Sequence, residues 1–260
     1  MLGDVFLLDG NHPFGDDGPT NPPQSGHLEM AWQIFPEFDH EVSMKFYLTV
    51  VLLSMLFLVV PTFAQQPTQH AFIWSQASGM KDLGSLGASS YAEAVNASGQ
   101  VAGYFVNGFG NPQAFRWTAK GGMKDLGTLG GDFSVDWGID DAGVVVGSAS
   151  KKAGAVHAVL WTATGAIKDL GTLGGSSSEA YGINKNGDVV GDSSIKGNVA
   201  THAFLEIATR RMKDLGTLGG VSSYANAVNV YREVVGNSIS GNGDEHAFLW
   251  TKANCMQDLG

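Results

Sequence analysis

Four histidines, His70, His157, His202 and His246, each open the same short motif, and a ring of imidazoles is the first arrangement here that could do chemistry. The spacing argues against a metal. Matching side chains of successive units are held apart by at least the ~10 Å between packed sheets, whereas a zinc ligand lies ~2 Å from its ion. The four cannot share one ion, and each is read as a structural bridge to a neighbouring loop. A second repeated group, Asp82, Asp125, Asp169, Asp214 and Asp258, heads Asp-Leu-Gly and invites acid-base chemistry. Repetition in every unit fits turn formation better, because an Asp side chain accepts from backbone N–H groups just ahead of it. The Gly-Thr-Leu-Gly-Gly stretch lacks the Lys-Ser/Thr ending of a phosphate loop, so nucleotide binding is not expected. No catalytic, cofactor-binding or metal-binding residues are assigned.

The columns that differ from copy to copy carry more functional information. Ser90, Ser134, Ser178 and Ser223 repeat, as do the small residues Ala94, Gly138, Gly182 and Ala227; these are packing positions. Between them one column runs Glu93, Trp137, Tyr181, Asn226, and another runs Tyr91, Val135, Glu179, Tyr224. Aromatic rings beside polar groups suit sugars or peptides. If the strand that carries them lines an axis, Glu93, Trp137, Tyr181 and Asn226 are the candidate ligand-binding residues.

The element that must position these columns is a repeat. His70-Ala71-Phe72-Ile73-Trp74 returns at Gln113, His157, His202 and His246 with spacings of 43, 44, 45 and 44, and Asp-Leu-Gly returns in step with it. A third landmark is an apolar residue, Asn or Asp, two residues, Gly and a Val-rich ending in Gly, as at Val95 to Gly103. Each unit resolves into four short strands, in the first complete copy at about Tyr91–Val95, Val101–Phe105, Ala114–Trp117 and Met123–Leu126. Asn96-Ala97-Ser98-Gly99 has the chemistry of a type I turn. In the last unit Arg232 stands where the turn glycine belongs, and a distorted hairpin is expected there.

Four antiparallel strands in about 44 residues match one blade of a β-propeller, for which a period of ~40–45 is typical. The expected fold is all-β, a propeller-like array of four units (about 85–128, 129–172, 173–217 and 218–260) preceded by a half unit at 70–84. A β-solenoid, with two rungs per unit, is the alternative. Strand counting predicts an open arc or a truncated piece of a longer protein, with an edge that invites pairing or self-association.

Charge and composition narrow the partners. Residues 1–43 hold eight acids and no Lys or Arg, whereas residues 65–260 carry a net charge of only −3. Without a basic stripe, nucleic acid is not an expected partner. The single cysteine, Cys255, excludes an intrachain disulfide and is read as a small buried hydrophobe. From Met44, a Met-Lys start, an apolar run over Phe46–Val60 and Pro61-Thr62-Phe63-Ala64 have the three parts of a secretory signal peptide spanning 44–64, with cleavage after Ala64. No stable membrane insertion is expected after cleavage. Residues 1–43 read as a mis-assigned upstream extension or a disordered tail.

The paired His-Ala-Phe and Asp-Leu-Gly-Thr-Leu-Gly-Gly motifs resemble the HAF-repeat family of bacterial extracellular repeat proteins. The resemblance covers nearly all of residues 70–260 and implies export and repetition. It brings no ligand or activity with it. Gln113, Val159 and Glu206 depart from the motif, which marks these as packing positions. The expected function is a non-enzymatic, secreted or cell-surface scaffold for binding or adhesion, its partner an extracellular glycan or protein. Two alternatives stand beside it: an exported polysaccharide hydrolase or lyase, and a fragment without independent function. The enzyme would need two carboxylates, or a carboxylate with His or Tyr, converging at one place, and no unrepeated cluster of that kind is visible.

Overall fold

The structure is a computed structural model that describes residues 68–207 and 211–260. The upstream extension at 1–43 and the signal peptide at 44–64 lie outside the described residues. Those described are all-β, with eighteen strands and no helix. A half blade, β1 (Phe72–Ser75) and β2 (Gly79–Asp82), precedes four blades. Blade 1 comprises β3 (Ser89–Val95), β4 (Val101–Val106), β5 (Pro112–Thr118) and β6 (Gly122–Asp125). Blade 2 comprises β7 (Gly130–Ile139), β8 (Val145–Lys151), β9 (Val156–Trp161) and β10 (Ile167–Gly171). Blade 3 comprises β11 (Gly174–Ile183), β12 (Val189–Ile195), β13 (Thr201–Glu206) and β14 (Lys213–Asp214). Blade 4 comprises β15 (Gly219–Val228), β16 (Val234–Ser240), β17 (Glu245–Thr251) and β18 (Cys255–Asp258). Within each blade, neighbours in sequence pair antiparallel.

The core lies between blades rather than within one. Ala102, Ala114 and Leu126 of blade 1 pack on Val145, Ala149, Val159 and Trp161 of blade 2. Val146 and Ala158 pack on Ala180, Val189 and Phe204, and Val190, Ala203 and Leu205 pack on Ala225, Val234, Phe248 and Trp250. Blades 1 to 3 therefore hide both faces against their neighbours, whereas blade 4 and the half blade are each covered on one face, Val235 of blade 4 being 42% exposed. The motif Phe is fully buried as Phe115, Phe204 and Phe248, but 53% exposed as Phe72 in the half blade, whose Trp74 is 62% exposed. The same side chain is core or surface according to whether a sheet covers it.

Polar stitches reinforce the apolar contacts. The N–H of the motif Ala donates to the first-strand Ser of the following blade: Ala71 to Ser90 and Ala114 to Ser134 at 2.9 Å, Ala158 to Ser178 and Ala203 to Ser223 at 2.8 Å. Those hydroxyls in turn donate to the Asp-Leu-Gly carbonyls of Gly84, Gly171 and Gly216 for Ser90, Ser178 and Ser223. One hydroxyl thus satisfies two backbone groups at a sheet edge that would otherwise be buried unpaired. This is why Ser returns in every copy.

The repeated His and Asp prove to be partners within one unit. Nδ1 of His70, His157, His202 and His246 lies 2.8–2.9 Å from an Asp carboxylate twelve residues on, at Asp82, Asp169, Asp214 and Asp258. Each of these Asp also accepts from the Gly N–H two residues ahead, the turn role expected from sequence. Where Gln113 replaces His, its amide reaches the Asp132 carbonyl of the next blade at 2.7 Å instead. Glu206, buried where other units place Trp, forms an ion pair with Lys168 of the preceding blade at 3.1 Å.

Two expectations are corrected. The Arg232 hairpin is not distorted: Arg232 takes φ +65°, beside +69°, +80° and +76° for Gly99, Gly143 and Gly187. Its N–H still closes the turn on Asn229 O at 3.1 Å. The left-handed conformation is unfavourable for a side chain, and the compensation is an ion pair from Arg232 Nε to the buried Asp188 at 3.0 Å. Cys255 is exposed, with φ +55°. It occupies the turn position that Gly79 and Gly122 fill in other units at φ +68° and +66°, while Met256 takes the partly buried apolar place beside it.

Candidate functional site

The first strands β3, β7, β11 and β15 approach one another from blade to blade and form the inner edge of the array. Each carries a β-bulge at the same place. Ala92 pairs with Gly103 and Ala94 with Ala102, leaving Glu93 as the extra residue. The register breaks identically around Trp137, Tyr181 and Asn226. A bulge re-aims a side chain and ends regular pairing locally, so the four candidates from sequence are the four residues that the bulges turn out of the ladder.

The bulge also explains a glycine. A Cβ on Gly103, Gly147, Gly191 or Gly236 would stand 1.9–2.0 Å from the carbonyl of Tyr91, Val135, Glu179 or Tyr224 in the first strand. Only a residue without a side chain lets the two backbones come that close.

Side chains around the bulges fall into one small group per blade. Directly paired residues share a sheet face, so Tyr91 lies with Tyr104, Val135 with Ser148, Glu179 with Asp192 and Tyr224 with Asn237. The Tyr91 and Tyr104 rings stack at 4.9 Å and 24°. Tyr181 donates its hydroxyl to Glu179 Oε2 at 3.4 Å, and Asn226 Nδ2 donates to Asn237 Oδ1 at 3.2 Å. Groups in adjacent blades touch: the rings of Trp137 and Tyr181 meet edge-on at 6.2 Å. Glu93 and Asn226 are exposed, and Trp137 is 39% exposed.

Two carboxylates complete the site, and sequence reasoning missed both. Asp136 takes the place of Ala92, Ala180 and Ala225 and is 0% exposed. It lies two residues after Ser134 on regularly paired strand, hence on the same face, turned toward blade 1. No other residue places a donor within hydrogen-bond reach of either of its carboxylate oxygens. Burial holds its pKa well above the usual carboxylate range, and the charge of Glu93 adds to the effect. Asp192, 8% exposed, has Oδ1 without a partner. Burial pushes its pKa up to about 6; the Tyr181 hydroxyl opposes the rise and Glu179 reinforces it. Burial also raises Tyr181, and the neighbouring carboxylates of Asp192 and Glu179 reinforce the rise. The readable sign of Asp136 was an acid in a column of alanines. That of Asp192 was a second-strand column, Tyr104, Ser148, Asp192, Asn237, as varied as the first-strand column it faces.

Glu179, Tyr181 and Asp192 are thus the unrepeated convergence of carboxylates with Tyr that the linear sequence did not display. Chemically the face can accept hydrogen bonds, stack on rings and receive positive charge. The inner strands offer little cationic chemistry: β3, β7, β11 and β15 contain no Lys, Arg or His. The second strands contain one, Lys151 at the far end of β8, which is spent on Asp169 at 3.0 Å. Among the described residues no group of three or more His, Cys, Asp or Glu is placed to hold a metal ion.

No family model matches the chain, and no curated protein matches it. Among solved structures the fold is similar to TolB from Acinetobacter baumannii, a β-propeller protein, with a TM-score of 0.51 at 13% identity. The match covers 72% of this chain and 48% of that one, about half of its length. At this identity the likeness concerns the fold, and it agrees with the blade architecture described above.

Proposed function

We propose that this chain is an exported, non-enzymatic binding scaffold of the bacterial envelope or cell surface, of the HAF-repeat type, which holds an extracellular glycan or protein segment against its bulged inner strands. The observation that carries this reading is the division of labour around each bulge. The glycine that permits it is the same in all four blades, while the residue it projects is Glu93, Trp137, Tyr181 or Asn226. A purely structural device has no need of four different side chains at one geometry. The propeller fold supports the reading as a rigid frame for such a face, and the secretory pattern at 44–64 supports the location. The test is a panel of cell-wall glycans and envelope-protein peptides. Trp137→Ala with Tyr181→Ala should weaken any binding seen by tenfold or more, on the order expected for two aromatic anchors. Unchanged binding in that double variant would remove the proposal.

A second reading, an exported polysaccharide hydrolase or lyase, is favoured by one observation, the Asp192 carboxyl raised to about 6 beside Glu179 and Tyr181. Acid-base catalysis uses carboxyls displaced in this way. Turnover of a polysaccharide that Asp192→Asn abolishes without changing binding would establish it.

A further inference from the structure

We propose that the bulge-lined face recognises primary ammonium groups, with Glu93 and Asp136 forming one seat, Glu179 and Asp192 a second, and Trp137 joining them through its edge contact with Tyr181. This deepens the binding-scaffold reading and rests on it.

Three features lead to this class of ligand. The first is unmet hydrogen-bonding capacity: both oxygens of Asp136 and Oδ1 of Asp192 are buried with no donor from another residue within reach. Buried carboxyls in folded proteins are nearly always paired or hydrogen-bonded, and a cation seated beside these two favours their ionised form, whose oxygens then accept its N–H donors. The second is the lack of such a donor nearby, since the four inner strands carry no Lys, Arg or His. The third is the aromatic surface beside the acids. Tyr91 stacks on Tyr104 next to Glu93, and Trp137 meets Tyr181 next to Glu179. Rings flanking carboxylates attract a cation through their faces while the carboxylates take its N–H donors. A quaternary ammonium would leave those acceptors unmet, so the ligand is a cation with N–H donors, and the compact ammonium of a small polyamine or a lysine side chain is the form assigned.

The repeat itself supplies test variants that the fold already tolerates. Asp136→Ala installs the residue found at Ala92, Ala180 and Ala225, and Asp192→Asn installs that of Asn237. Thermal melts by circular dichroism check that both remain folded. The full chain is titrated calorimetrically at low salt with spermidine, with a lysine-containing peptide, and with the same peptide acetylated on its lysines. Binding of the first two, weakened about tenfold by either acid variant and about fivefold by Trp137→Ala, with the acetylated peptide inactive, supports the proposal. Binding of the peptide but not of spermidine supports it too and assigns the amines to a polypeptide. Equal binding of the acetylated peptide, indifference to both acid variants, or no binding of either amine probe overturns it. A neutral glycan that binds and is lost in the Trp137/Tyr181 double variant would leave the scaffold reading standing while the ammonium assignment fails.

Discussion

The carbonyl oxygen of Glu179 occupies the space where a side chain on Gly191 would begin: a Cβ there would meet it at 1.9 Å. That contact forms the bulge at Tyr181, so the Val-Val-Gly ending of the second strand and the ligand-facing residue of the first are one structural device. Gly191→Ala must push the strands apart or flatten the bulge. The expected cost is about 2–3 kcal/mol, in the upper range for overpacking, measured by urea denaturation. A change below about 0.5 kcal/mol, which is ordinary for a neutral surface site, would show that the close approach is not needed.

Ser178 holds blade 3 to blade 2 by accepting from Ala158 N–H at 2.8 Å and donating to Gly171 O at 2.5 Å. Removing the hydroxyl strands one buried N–H and one partly buried carbonyl. Ser178→Ala should destabilise by about 2 kcal/mol and speed hydrogen exchange at the Ala158 amide in particular. Uniform exchange rates across both blades would argue against a local stitch.

Arg232 sets two effects against each other. Its left-handed backbone costs about 1 kcal/mol relative to Gly, while its guanidinium partners the buried Asp188. Arg232→Gly relieves the first and leaves the buried Asp188 carboxylate without a cation, held only by Asn184 Nδ2 at 3.0 Å, which is the larger loss. The single variant is therefore expected to be about 1 kcal/mol less stable. Adding Asp188→Val, the residue that Val144 supplies in blade 2, should return stability to the wild-type level or above. Melting temperatures of the three proteins decide it, and an Arg232→Gly variant more stable than wild type would reverse the ranking.

Stability should depend on pH through Asp192 in a direction opposite to most acids. Its folded pKa of about 6 lies above its ordinary 3.8, so the folded chain keeps a proton that the unfolded chain releases between them. Its contribution therefore falls as pH rises from about 4 to 6 and stays unfavourable above. Asp82 runs the other way, held low by the His70 hydrogen bond and the Gly84 N–H, as does Asp258, held low by Gly260 N–H and then His246. Their stabilisation is present above the ordinary carboxylate pKa and lost as pH falls through the folded value. Asp192→Asn should gain on the order of 2 kcal/mol over wild type at pH 7 and almost nothing at pH 4, read from urea midpoints at the two values. An equal gain at both would place the cause outside ionisation.

The period near 44, the four strands per unit and the Asn-to-Gly turns were legible in the linear sequence, because each is written in local chemistry. Alternation, turn residues and β-branched runs act over a few neighbours. The choice of Glu93, Trp137, Tyr181 and Asn226 also came from the sequence, since variation against a constant frame needs only alignment of the copies. That these four are bulge residues required the register, which shows Gly191 pressed against Glu179 and so leaves Tyr181 unpaired. Cys255 was misjudged because hydrophobicity gave no hint that its backbone would take a glycine conformation in an exposed turn.

What the chain specifies by itself is therefore a module: short strands, tight turns and an apolar face on each side. The tertiary structure alone decides which acids meet. Asp136 faces blade 1 across the inter-blade gap, and Asp192 lies opposite Glu179 only once β12 pairs with β11. Burial and charge are properties of surroundings assembled from several strands and blades, so no reading along one strand contains them.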